Sequence, residues 1–502
     1  MKTVTHWIGG KPYGEGPNAS GAWGPVTDPA TGEVTARVAL AGADEVDAAV
    51  AAAKEAYTGW RTSSLARRTA ILFRYRELLN ARRDDLAALI TAEQGKVHAD
   101  ALGEVARGLE IVELACGLGT ALKGETSTEV SDHVDVASVR QPLGVVVGIS
   151  PFNFPAMISM WMFPMAIACG NTFVHKPSSK APSASMLLAE LAAEAGLPDG
   201  VLNIVHGDET AVNALLDHPD VAAVSFVGST PVARHVYGRA AANGKRVQAL
   251  GGAKNHMLVL PDADLDAAAE AAVTAAFGSA GQRCMAVSVV VAVGSAGDAL
   301  VPRIAERATA VRIGPGDDPA SEMGPLVTRA HRDDVARYVA GAAAQGADVV
   351  LDGRDFTVAG RENGHWMGIT LLDRVGTDSD VYRNEIFGPV LCVLRAETFE
   401  EAMDIVNGSR YGNAGSIFTR DGGAARRFQL EAEVGMVGVN VPMPVPVGHH
   451  SFGGWKDSAF GDHRMYGSEA VHFYTQGKVV TTRWPDPAET AAGPDLGFPA
   501  SR

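Results

Sequence analysis

Cys284 sits in the stretch GSAGQRCMAV, where Gly278, Ser279, Ala280 and Gly281 leave room for a ligand to approach the backbone. Arg283 beside it supplies a positive charge that favours thiolate, the nucleophilic form of cysteine. The alternative is a small, inert, buried hydrophobe, which is how Cys116, Cys169 and Cys392 read in their apolar contexts. In PFNFP, residues 151–155, two prolines lock a turn directly after the strand-like run GVVVGIS. The amide of Asn153 is thereby held at a strand end, where it could donate to an oxyanion or satisfy its own turn. FVGST, residues 226–230, ends another strand and opens a helix near Pro231, so Gly228 and Ser229 stand where helix N–H groups hold phosphate. It lacks the GxGxxG pattern. In KPSSK, residues 176–180, Lys176 could reach ribose hydroxyls with Ser179 and Lys180 beside it. In NEIFGPV, Glu385 could grip two hydroxyls of a sugar with the ring of Phe387 alongside, or be a solvated loop acid.

The elements that must carry these groups alternate in type. From Gly144 onward, GVVVGIS, NTFVHKP, VLNIVHG and VAAVSFVG are short β-branched runs separated by helical stretches at 182–195, 209–217 and 232–242. Such alternation predicts βαβ units around a parallel sheet buried on both faces. A second set follows, with HMLVLP, VSVVVAVG, PVLCVLR, AGSIF and MVGVNV alternating with helices at 262–277, 298–311, 399–407 and 423–433. Before Gly144 the chain reads as helices, over 43–60 and 65–94. Residues 133–140 and 471–482 alternate like exposed strands, either edges that reach a neighbouring subunit or a solvent-facing hairpin. The Pro-rich tail after Trp484 reads as loosely ordered.

Bulk properties exclude several classes. At 502 residues two or more domains are expected. A net charge of −15, without a Lys/Arg stripe, argues against nucleic acid. No run is long enough to span a bilayer, and the N-terminus shows no apolar signal core. Four scattered cysteines make no disulfide framework. A cytoplasmic protein is expected. The pair His449-His450 lacks further ligands at metal spacing, so no metal is expected.

PFNFP, HKPS, FVGST, LGGAKNH, GQRC, NEIFGPV and FGGWKDS occur in the order and at roughly the spacing of the aldehyde dehydrogenase superfamily, over about Ile8 to Lys478. Within it, AKNH, SAGQRCMA, MVGVNVPMPVP and FYTQGK resemble the CoA-acylating methylmalonate-semialdehyde dehydrogenases, which also accept malonate semialdehyde. The resemblance implies an α/β fold with a Rossmann-like NAD domain (1–123 and 143–249), an α/β catalytic domain (250–465) and a β-hairpin oligomerisation element (124–142 and 466–484), with 485–502 as the tail. It implies Cys284 as nucleophile and an oxyanion hole made by Asn153 and the Cys284 N–H. Ser150, Phe152, Lys176, Ser179, Lys180 and Ser229 fall on cofactor-contacting positions, and Glu385, with Phe387 beside it, on the one holding the nicotinamide ribose. Arg107 and Arg283 are implied to pair with a substrate carboxylate, by a bidentate fork; for Arg107 the alternative is a helix-surface salt bridge with Glu104 or Glu110.

Two departures bear on chemistry. Hydrolytic members have glutamate as general base where QALGGAKN places Leu250, and hydrocarbon cannot take a proton from water. The acyl-enzyme is then expected to wait for a thiolate such as that of CoA. Many NAD-preferring relatives have glutamate where Ser179 stands, so NAD is expected with NADP open beside it. The expectation is a homo-oligomer, dimer or tetramer, that oxidises a semialdehyde, decarboxylates the thioester and releases propanoyl-CoA or acetyl-CoA. Its rivals are a hydrolytic NAD(P)-dependent aldehyde dehydrogenase, a CoA-dependent enzyme for another aldehyde, and a non-catalytic NAD-binding protein.

Overall fold

A computed structural model describes residues 1–14 and 22–486. The expectation of a loosely ordered tail falls, from residue 487 on, outside the described residues.

Two buried sheets organise the chain. The eight-stranded one has a parallel centre in which Arg246–Leu250, Val221–Val227, Val145–Ile149, Thr172–Lys176 and Leu202–Ile204 lie side by side. From Val145–Ile149 the chain steps outward to Leu202–Ile204, then returns to place Val221–Val227 on the other flank of Val145–Ile149. The crevice beyond the carboxyl ends of those two strands is a topological switch point, where open α/β sheets bind ligands. The seven-stranded sheet has the order Asp348–Leu351, Thr370–Asp373, Val390–Ala396, Val287–Val293, Asn255–Val259, Ala414–Phe418 and Met436–Val439. Only its first pair is antiparallel. The near-continuous valine runs suit strands covered on both faces; Val289, Val290 and Val291 are each 0% exposed.

Segments 124–142 and 466–484 meet in a separate three-stranded sheet, in which Val134–Pro142 pairs along its whole length with Thr475–Arg483 and also with Thr126–Ser131. The strand expected over 471–482 needs correction: residues 471–474 finish the helix Gly467–Tyr474, whose Ala470, Val471, Phe473 and Tyr474 are buried. The expected helix over 65–94 is two, Leu65–Ala81 and Arg83–Gln94, broken at Arg82 with φ −107° and ψ 18°. No Gly or Pro marks that break. Residues 2–13 and 23–39 carry strands where the chain before Gly144 was expected to be helical, and His6–Ile8 and Lys11–Tyr13 extend the first sheet. Ala459–Phe460, inside the span expected to be catalytic, crosses back to pair with Arg246–Leu250.

One helix that packs on the first sheet, against Val145–Ile149 and Thr172–Lys176, leaves no trace in the sequence pattern. Met157–Ala168, MISMWMFPMAIA, is buried on every side, so it has no polar face for periodicity to reveal. His98–Cys116 lies against it, and Gly108 permits the approach: a Cβ there would come within 2.2 Å of Met160 Cε.

Candidate active site

Cys284 lies in the loop between the helix Leu265–Phe277 and the strand Val287–Val293. The loop enters through a tight turn in which Ser279, Ala280 and Gly281 have φ of +55°, +53° and +72°. Two non-glycine residues in left-handed conformation store strain. Gly281 is required outright, because a Cβ would lie 2.1 Å from the Gly388 carbonyl oxygen. The carbonyl of Cys284 accepts from two amides, Asn255 Nδ2 at 2.9 Å and Asn413 Nδ2 at 3.0 Å. Asn255 also donates to the Ala286 carbonyl and accepts from the Ala414 N–H, so it ties the loop to two strands of the second sheet.

Burial pushes the Cys284 thiol up to about 12, and the charge of Glu385 adds to the rise. The N–H groups of Cys284 and Met285, and last Arg283, offset only part of it. Arg283 contributes little because its guanidinium folds back over Gly278 to meet Asp100 at 2.8 Å. Burial acts to raise the Asp100 carboxyl, but Lys96 and Arg283 outweigh it and hold the group below the usual carboxylate range. Cys284 therefore rests as a thiol, and the expected activation by Arg283 is largely spent on Asp100.

The turn PFNFP leaves the first sheet at the switch point and faces this loop. Asn153 is 4% exposed and donates one Nδ2 hydrogen to the Gln282 carbonyl at 2.9 Å. An amide nitrogen carries two donors, so the second serves a ligand without breaking that bond. Gln282 is fixed in turn, accepting from the Val327 N–H at 3.0 Å.

A cavity of about 390 Å³ runs from Cys284 and Asn153 past Glu385 and Phe387 to Phe152, Lys180 and Ser229. It brings together eight of the positions singled out in the sequence, once Gly228 is included. Phe152 and Phe387 meet edge to face at 6.0 Å, and the Lys180 ammonium sits 5.0 Å above the Phe152 ring. Phe387 holds φ +60°, and its carbonyl is 2.8 Å from His331 Nε2. The helix Thr230–Ala242 starts at the cavity wall, and Ser229, its N-cap, makes no side-chain cap bond. Its first N–H groups and dipole are thus available to an anion. Lys176 ends the strand Thr172–Lys176 outside the cavity lining, 8% exposed, with burial drawing its ammonium down to about 8 against the charge of Asp208. These features fit a dinucleotide: an uncapped helix N-terminus for phosphate, with Lys180, the carboxylate of Glu385 and the sulfur of Cys284 on the same cavity wall. Ser150 differs, since its hydroxyl turns inward to His175 Nε2 at 2.9 Å. Ser179 is half-exposed, beside Lys180.

Glu385 Oε1 accepts from the Ala253 N–H at 2.9 Å, and Oε2 lies where a Cβ on Gly252 would sit, 2.3 Å away. The second glycine of LGGAKN thus makes room for this carboxylate. Burial pushes Glu385 up to about 7, with the Ala253 N–H and Lys254 opposing. Leu250, 4% exposed, closes the strand Arg246–Leu250 and belongs to the apolar cluster against which Cys284 packs. Its own position offers no proton acceptor, and Glu385 is a half-buried acid that lines the cavity with Cys284.

The arginines sit differently. Arg107 binds Glu110 at 2.7 Å, the alternative weighed for it, and also donates to the Pro446 carbonyl at 2.8 Å. Tyr466 Oη donates to the same carbonyl at 3.3 Å. Arg107 is one third exposed and Arg283 about half that. Both are anchored on the helix His98–Cys116, through Asp100 and through Arg107 itself. His449 and His450 are exposed.

Sequence reasoning missed the supporting residues. Asn255 and Gln282 stood inside recognised motifs without a role, Glu104 was read only as a partner for Arg107, and Asn413, Asp100 and Lys96 gave no signal, because each acts through a partner distant in the chain.

Comparison with known proteins agrees with this geometry. The aldehyde dehydrogenase family model matches residues 17–480. A malonate-semialdehyde dehydrogenase of Pseudomonas aeruginosa is 50% identical over 501 residues, covering 100% of both chains. A mitochondrial, acylating methylmalonate-semialdehyde dehydrogenase of Arabidopsis thaliana is 50% identical over 92% of this chain and 76% of its own. A provisional methylmalonate-semialdehyde dehydrogenase of Sinorhizobium meliloti, solved in complex with NAD, superposes with a TM-score of 0.95 at 49% identity, covering 97% of this chain and 99% of that one. With family match, fold and a cysteine-centred cavity in agreement, the chain belongs to the aldehyde dehydrogenase family and is an enzyme of that type.

Proposed function

We propose that the protein oxidises methylmalonate semialdehyde and malonate semialdehyde with NAD and transfers the decarboxylated acyl group to CoA. The observation that carries the reading is hydrocarbon at Leu250, 4% exposed, beside an intact nucleophile loop. The printed names of the relatives support the substrate class.

The Cys284 thiol gives up its proton to solvent in the open cavity, and the sulfur attacks the aldehyde carbon. The second Nδ2 hydrogen of Asn153 and the Cys284 N–H hold the oxyanion that forms, a contribution worth about 3 kcal/mol per donor in comparable sites. NAD, when bound along the cavity, accepts the hydride, and the acyl group remains on Cys284 as a thioester. The carboxylate is then β to the thioester carbonyl. Its C–C bond breaks to release CO₂, the electron pair enters that carbonyl as an enolate held by the same donors, and the α-carbon is protonated. The thiolate of CoA attacks the thioester and frees Cys284. Arg107, the more exposed arginine, orients the carboxylate, and Arg283 assists through its hold on the nucleophile loop. Exposed Val130, Val139, Val479 and Val480 on the three-stranded sheet support a homo-oligomer.

A second reading draws on Glu385. A half-buried carboxyl with a pKa of about 7 in the nucleophile's own cavity could activate water and make a hydrolytic enzyme. Stopped-flow oxidation of methylmalonate semialdehyde with and without CoA separates the two. The CoA reading expects a single equivalent of NADH without CoA, steady turnover with it, and bicarbonate release. Steady CoA-independent turnover to a free acid overturns it.

A further inference from the structure

The PFNFP turn is held from behind by a fully buried ion pair that touches neither the cavity nor the nucleophile. Lys96 Nζ lies 2.8 Å from Glu104 Oε2, and both side chains are 0% exposed. The same ammonium donates to the main-chain carbonyl of Asn153 at 2.7 Å and sits 4.0 Å over the ring of Phe154. Its three donor directions are thus spent on the partner carboxylate, the backbone of the oxyanion residue and the face of the next side chain. Glu104 completes the grip: Oε1 accepts from the N–H groups of Ala156 at 2.9 Å and Met157 at 3.1 Å. These begin the helix Met157–Ala168, which has no side-chain N-cap of its own.

The pair therefore clamps the turn at its middle, Asn153, and at its exit, Ala156–Met157, while Pro151 and Pro155 stiffen its two ends. Its own seat is rigid. The Lys96 N–H donates to Gln94 Oε1 at 3.0 Å, and Gly316 from the second α/β unit packs so closely that a Cβ there would come within 2.4 Å of the Lys96 carbonyl oxygen. A buried ion pair is a poor way to gain stability, because desolvation offsets most of the attraction. Positional control is its better-supported use, and an oxyanion donor must be held to within about half an ångström.

We propose that Lys96 and Glu104 are positioning residues for the Asn153 amide, setting the rate of the acylating half-reaction through the backbone of the PFNFP turn. The inference rests on the reading of Asn153 as oxyanion donor, and one set of variants tests the two separately. Lys96→Met and Glu104→Gln are each made alone and combined with Asn153→Ala. The readouts are the single-turnover rate of NADH formation, the Kd for NAD, and the rate at which iodoacetamide alkylates Cys284, which needs no oxyanion donor.

Each single variant is expected to slow NADH formation by 10-fold or more, with Kd and alkylation rate changed less than threefold. In the Asn153→Ala background the further loss is expected to fall below threefold, because the group being positioned is gone. Multiplicative losses in the double variants, or NADH rates that fall only in step with alkylation and NAD binding, overturn the positioning role and leave a structural pair. A normal rate in Asn153→Ala alone overturns the reading of Asn153 instead. If Lys96→Met does not fold, Glu104→Gln, which keeps an acceptor for both N–H groups and loses only the charge, decides the matter.

Discussion

Asp100 Oδ1 stands 2.8 Å from Arg283 Nη2, each side chain 17% exposed, so the residue preceding Cys284 is tethered to the helix that carries Glu104 and Arg107. Asp100, Glu104 and Arg107 recur at helical spacing, placing them on one face of His98–Cys116. The tether explains how Arg283 can adjoin Cys284 and still leave the thiol high: its charge is compensated on the far side. Asp100→Asn removes that compensation and keeps a polar partner of the same shape. The pH midpoint for alkylation of Cys284 is expected to fall, and the alkylation rate at pH 7.5 to rise several-fold. An unchanged midpoint would show that Arg283 does not act on the sulfur electrostatically.

Glu385 is predicted to cost the fold stability at alkaline pH. Its folded pKa of about 7 lies above the ordinary 4.5, so between those values the native state holds a proton that the unfolded chain has lost. Stability from this group is complete below about pH 4.5 and is lost as pH rises through 7. Glu385→Gln keeps an acceptor for the Ala253 N–H and cannot ionise. It should raise the unfolding free energy at pH 8, by no more than about 3 kcal/mol, and change it little at pH 4.5. Equilibrium urea unfolding at the two pH values checks this. If the carboxylate also grips the ribose, the same variant raises KM for NAD.

Three buried histidines give the opposite slope. His6 and His206 stack at 5.9 Å, and neither ring nitrogen of His206 has a hydrogen-bond partner among the described residues. Burial draws His6 down to about 4 and His175 to about 3, and carries His206 well below its usual value. The unfolded chain takes up protons near pH 6.5 that the fold refuses until far lower. Stability is therefore full above 6.5 and drains as pH falls toward 4. The urea midpoint should drop between pH 7.5 and 5, and His206→Leu should flatten that drop. An equal drop in the variant would place the acid sensitivity elsewhere.

Legibility in the sequence followed the range of the interaction that mattered. Strands such as Val287–Val293 and Ala414–Phe418 show themselves because burial on both faces demands β-branched runs, and Glu209–Asp217 because Asp208 caps it and its apolar face repeats. The break at Arg82 and the helix Met157–Ala168 were opaque, since tertiary packing decides them and neither leaves a periodic trace. The cavity positions were legible as short motifs at strand ends. What fixes them was not: Asn413 reaches the Cys284 carbonyl over 129 residues and Lys96 the Asn153 carbonyl over 57. For Arg107 the salt bridge to its helix neighbour Glu110 was legible from spacing, whereas a role toward substrate came only from the resemblance.

Leu250 is where the choice of acyl acceptor can be rewritten. It ends a strand paired to Val227 and Ala459 and is 4% exposed, so a longer acid there starts in an apolar wall. Burying a carboxylate without a partner raises its pKa and costs stability. The raised pKa suits a general base, which works best with a pKa near the operating pH. Leu250→Glu is expected to lower the thermal midpoint and, in exchange, to open hydrolysis of the acyl-enzyme. Steady NADH formation without CoA should rise at least tenfold over the parent, with free acid as product, while the initial burst stays within a few-fold. A variant that still gives the burst yet gains no CoA-independent turnover would mean that the side chain at 250 does not select the acceptor. Glu385 would then be the group to replace next, with Gln, watching for loss of whatever slow hydrolysis the parent shows.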